Sequence, residues 1–129
     1  MHKLWILGIL GAAVAACSPG PQVSFVEPLD GAVVSGEFRV VMDVRGMEVM
    51  PAGEVVEGAG HHHLLIDAEP IAAGEVVPND EQHRHFGKGQ TETTLALTPG
   101  EHTLSLQFAD GAHISYGEKL RRTITVRVE

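Results

Sequence analysis

Apolar and polar residues alternate along most of this chain. In FRVVMDVR (38–45), Val40, Met42 and Val44 fall on one face and Arg39, Val41, Asp43 and Arg45 on the other. HTLSLQF (102–108) groups Leu104, Leu106 and Phe108 opposite Thr103, Ser105 and Gln107. RRTITVRV (121–128) aligns Ile124, Val126 and Val128, and TETTLAL (91–97) places Leu95 and Leu97 inward. A period of two is the signature of a half-buried strand, so each run predicts one, with the short VSFV (23–26) as the first. PLDG (28–31), TPGE (98–101) and ADG (109–111) punctuate the runs as turns, and TPG predicts a β-hairpin between 91–97 and 102–108. No segment carries a helical stripe longer than two turns. The expected fold is all-β: an immunoglobulin-like antiparallel β-sandwich of six or seven strands over 23–129. Two stretches, 46–60 and 68–89, resist assignment and are expected to be long loops with a functional role.

The N-terminus changes the expected setting. Met1-His2-Lys3 precedes LWILGILGAAVAA, an uncharged run too short for the ~20 residues of a membrane span but suited to a signal peptide. It ends in VAAC, a pattern that resembles the bacterial lipobox. Cys17, the only cysteine, can form no internal disulfide, and lipidation accounts for it. Residues 1–16 are therefore expected to be a lipoprotein signal peptide and 17–22 a lipidated cysteine with its tether. The anchor would place the domain in the cell envelope, on the periplasmic face of the outer membrane in a Gram-negative cell. Without residues 1–16, which hold one lysine and no acid, 8 basic residues face 17 acidic ones, a net charge of −9 with histidines neutral. Such acidity argues against nucleic acid and against polybasic docking on anionic lipid. The domain is expected to be a monomer, held to the membrane by acyl chains on Cys17, with an envelope protein as a conceivable partner.

Candidate chemistry is concentrated in histidine. In GHHHLLID (60–67), strand parity puts His61 and His63 on one face with Leu65, and His62 on the other with Leu64 and Ile66. Residues i and i+2 of a strand lie ~6.5–7 Å apart, close enough for two imidazoles to converge on one metal with bonds of ~2.0 Å. A second H-x-H pair, His83 and His85, precedes FGKG. Met47 and Met50 in GMEVMP could add thioether sulfur, a set that favours copper, with zinc as second choice; each could equally fill a gap in the core. His113, beyond the ADGA turn, is a further candidate ligand, with His62 and Asp67 as supporting residues. His102 shares parity with Leu104 and reads as a packed strand-end residue. A hydrogen-bonded loop-stabilising network of histidines is the alternative reading.

Enzymatic chemistry is not expected: no serine sits in a nucleophile elbow and no glycine-rich loop opens a helix. The glutamate that a cupin-type H-x-H motif requires is also missing. GMEVMPAGEVVEGAGHHHLLID and IAAGEVVPNDEQHRHFGKGQTETTLALTPGEHTLSLQFAD resemble a bacterial envelope family, the domain of unknown function 4399. The likeness runs from about Val23 to the C-terminus and rests on GHHHLLID, HFGKGQTE and L-x-PG-x-HTL in that order. It implies a small exported or lipid-anchored β-domain and draws interest to the histidines without giving them roles. After the aspartate of QFAD the family continues with a second histidine and a proline-rich turn. This chain reads GAHISYGEKLRR there instead, which implies an altered site if that histidine completes one.

Overall fold

In a computed structural model describing residues 19–129, the alternating runs become strands of a two-sheet β-sandwich. The strands are β1 (Gln22–Glu27), β2 (Val33–Val34), β3 (Glu37–Arg45), β4 (Glu48–Val49), β5 (Ala59–Ile66), β6 (His83–His85), β7 (Glu92–Ala96), β8 (Gly100–Ala109) and β9 (Arg121–Val128). Six of them are five residues or longer; β2, β4 and β6 are short pieces that extend the sheet edges. The signal-peptide and Cys17 expectations fall outside the described residues. Among the described residues the only helical element is a 3-10 turn, Glu118–Leu120.

One sheet has three strands in the order β1-β3-β7; the other has six, β2-β9-β8-β5-β4 with β6 also paired to β5. Their facing sides hold the core: Val23, Phe25, Val40 and Met42 from the first, Leu64, Leu106, Phe108 and Val126 from the second. Alternation thus reads correctly as inward and outward faces. The expected TPG hairpin, however, is not one. β7 belongs to the three-stranded sheet and β8 to the six-stranded sheet, so residues 97–99 form an arch between layers. Leu95 and Leu104 both point into the core, but from opposite sheets; alternation fixes which face is apolar and leaves open which layer it belongs to.

β5 is buried along its whole length, on both faces. Its inner face meets the other sheet, and its outer face is roofed by the 68–80 segment. Leu65, Val77 and Ala109 form a second apolar cluster there, with Ala68 and Ile71 packed against it. The roof is fastened to the chain beyond β8: Val77 N–H donates to the His113 carbonyl (2.9 Å) and Gly74 N–H to the Ser115 carbonyl (3.0 Å). Arg121 adds a clamp, donating Nε to Gln107 Oε1 (2.9 Å) and Nη2 to the Ile71 carbonyl (2.7 Å). At the start of β5 only glycine fits, because a Cβ at Gly60 would lie 2.0 Å from the Ala109 carbonyl oxygen.

Candidate metal centre

Parity on β5 separates the three consecutive histidines. His62 turns inward, its ring edge-on to Phe108 with centroids 5.2 Å apart. His61 and His63 turn outward beneath the roof, their rings 4.5 Å apart. All three side chains are fully buried. The third member of the group comes from the ADGA turn. Asp110 Oδ1 accepts hydrogen bonds from Ala112 N–H (2.8 Å) and Ile114 N–H (3.0 Å), and the Asp110 carbonyl accepts His113 N–H (2.9 Å). This tight turn holds His113 at φ 65°, in the left-handed region, and swings its ring back over β5.

His113 Nδ1 lies 3.0 Å from His61 Nε2 and 3.2 Å from His63 Nε2. One ring nitrogen offers either a single N–H or a single lone pair, so it can satisfy only one of these two partners. The three nitrogens therefore cannot satisfy both contacts at once. Nitrogens bound to one ion at about 2.0–2.1 Å stand about 2.8–3.4 Å apart for angles between square and tetrahedral, and both measured separations fall in that range. The ligand atoms of all three, His61, His63 and His113, lie within 4.8 Å of one another.

Electrostatics keep these rings in the form a metal needs. Burial strips water from His61 and His63 and lowers their pKa values to about 4 and about 2, with the neighbouring imidazoles pushing the same way. Burial also lowers His113, helped by His85. At neutral pH His61, His63 and His113 are uncharged, and neutral imidazole is the ligating species. The Nδ1 atoms of His61 and His63 are buried without a hydrogen-bond partner, as are both ring nitrogens of His62. Burial lowers His62 to about 4 as well.

The remaining candidates are placed differently from one another. His85 stacks its ring edge on His63 at 4.4 Å and lies 4.7 Å from His113. Its i−2 neighbour His83 faces Leu65 across the β5–β6 pair and is engaged by Asp80 Oδ1 at 2.7 Å. Asp67 ends β5 at φ 51° and turns its carboxylate away to His102 Nδ1 (2.6 Å) and Thr103 N–H (2.8 Å). His102 Nε2 donates to the Thr98 carbonyl at 2.8 Å, so this ring braces the inter-sheet arch, and its hydrogen bond with Asp67 raises its pKa. Met47 packs against the main core and Met50 is half-buried, its N–H donating to the Gly60 carbonyl. The supports that sequence reasoning missed are backbone and turn groups: the Pro78 carbonyl beneath His85 and the Asp110 side chain that shapes the turn. Only the second left a trace, in the ADG turn signal.

The model of the family described as "Domain of unknown function (DUF4399)" matches residues 40–129, which covers every member of the histidine group. Neither a curated protein nor a solved structure matches the chain.

Proposed function

The chain belongs to the DUF4399 family, whose description assigns no chemistry, and from its own residues we propose that it binds a single transition-metal ion through His61, His63 and His113. The convergence of two Nε2 atoms on one His113 Nδ1, at 3.0 and 3.2 Å, carries this reading. Imidazole donors accept copper, zinc and nickel, and the general affinity order for divalent ions puts copper ahead of zinc. The ligand set is nitrogen; Met47, on the core side, is not required for it. The apolar run before VAAC supports an envelope location with lipidation at Cys17, where such ions are encountered without the thiol buffers of the cytosol. The domain on this reading binds the ion and performs no catalysis.

Calorimetric titration at pH 7.5 is expected to give one Cu(II) or Zn(II) per chain. Burial holds the His61 pKa at about 4, so in the folded protein binding is expected to weaken only as pH falls toward that value, where protons compete for the lone pair. Absence of saturable binding by either ion would reduce the cluster to a hydrogen-bonded brace between β5 and the 110–115 turn.

A further inference from the structure

We propose that His85 is the fourth ligand, closing the shell of the ion held by His61, His63 and His113; the inference rests on the three-histidine reading above. β6 exists by pairing three residues, His83–His85, with His63–Leu65 on the edge of β5. That register sets His85 directly opposite His63 and brings its ring into contact with two of the three ligands, at centroid distances of 4.4 and 4.7 Å. Its Nε2 lies 2.6 Å from the Pro78 carbonyl oxygen. A carbonyl can only accept, so Nε2 is the protonated nitrogen and, in the neutral ring, Nδ1 holds the lone pair.

A ligating imidazole ordinarily donates its second N–H to a carbonyl or carboxylate, which fixes the tautomer and strengthens the donor. His85 already has that support, while the Nδ1 atoms of His61 and His63 have none. His85 stands outside the group of nitrogens within 4.8 Å, so ligation draws it inward from its present ring contacts. It also lines an open groove of about 430 Å³ between β6 and β7, with Asp80, His83, Arg84 and Phe86 among its walls. The other three ligands do not line that groove, so His85 is the one of the four that opens onto it. Four imidazoles complete a tetrahedral shell and leave no open position for water or substrate. A closed site of this kind retains an ion and does not activate water.

Cobalt(II) is the probe, because its visible bands are intense in tetrahedral sites and weak once water raises the coordination number. The wild-type protein is expected to give intense tetrahedral bands. His85→Ala and His85→Gln are each expected to bind Co(II) at least about tenfold more weakly and to show a shifted band pattern as an oxygen takes the fourth position. His85→Gln keeps a donor for the Pro78 carbonyl, so a loss there is loss of the ligand and not of the β6 brace; circular dichroism of the metal-free variants checks their folding. Wild-type affinity and spectrum in the His85→Gln protein would overturn the fourth-ligand assignment and leave the triad standing. No Co(II) binding by the wild type would overturn both.

Discussion

Metal-free protein is expected to lose up to about 4 kcal/mol of stability per pH unit as pH falls from 6.5 toward 4, and to unfold in acid. Each proton that the unfolded chain binds and the folded chain refuses contributes about 1.4 kcal/mol per pH unit. At least three such protons are available, His113 adding to them in the same direction. His61, His62 and His63 titrate near 6.5 when unfolded, but burial holds them at about 4, about 4 and about 2 in the fold. A lowered histidine pKa means that the unfolded state is the more protonated one between the two values. Stability is therefore complete above 6.5 and falls with pH until the folded rings themselves titrate. His102 has the opposite sign: its pKa is raised by Asp67, so its contribution is complete below 6.5 and fades as pH rises through the folded value. It does not offset the acid loss. Small domains have about 5–15 kcal/mol in total, so at about 4 kcal/mol per pH unit the collapse falls about one to four units below 6.5.

Urea unfolding in the presence of a chelator, repeated from pH 7.5 to 4.5 and followed by circular dichroism, measures this slope. A flat stability between 6.5 and 4.5 would contradict it. His62→Leu separates the core histidine from the other two. Its ring lies against Phe108 with both nitrogens unpartnered, so an apolar side chain of similar volume removes a desolvation cost of about 1–3 kcal/mol. The variant is expected to be more stable at neutral pH and to have a slope shallower by about one proton.

Saturating copper or zinc is expected to raise the melting temperature by on the order of 15 °C. An ion at about a thousand times its Kd contributes about 4 kcal/mol to the folded state, and a domain of this size gains roughly 4 °C per kcal/mol. The effect should be much smaller in His113→Asn. Asparagine tolerates the left-handed conformation that position 113 adopts at φ 65°, so the ADGA turn survives while one of the three convergent nitrogens is removed. A wild-type shift that persists in this variant would place the bound ion elsewhere. The gain should also shrink as pH falls toward about 4, where the folded His61 ring titrates and protons compete with the ion for the same lone pairs.

Much of this arrangement could be read from the residues, and the exceptions have physical causes. The period of two separated His62 from His61 and His63, because on a strand parity alone decides the face. It also marked the core positions of β3, β8 and β9. It could not place the TPG arch, since a run that alternates faces looks the same in either layer. Nor could it distinguish His83 from His85: both share a face, and the difference lies in which neighbour each meets, Asp80 for one and the His63–His113 rings for the other. The burial of β5 on both faces depends on the 68–80 segment, whose fastenings to His113, Ser115 and Arg121 are mostly to backbone carbonyls and carry no sequence signal. His113 enters the group through a backbone angle. The turn was legible, but the direction of its ring was not.

X-ray absorption on the copper- or zinc-loaded protein tests the convergence of these imidazoles most directly. At least three nitrogen scatterers at about 2.0 Å, with the outer-shell pattern of imidazole rings, are expected from the wild type, and one fewer from His113→Asn. A shell without imidazole scattering, or identical shells in the two proteins, would contradict the account.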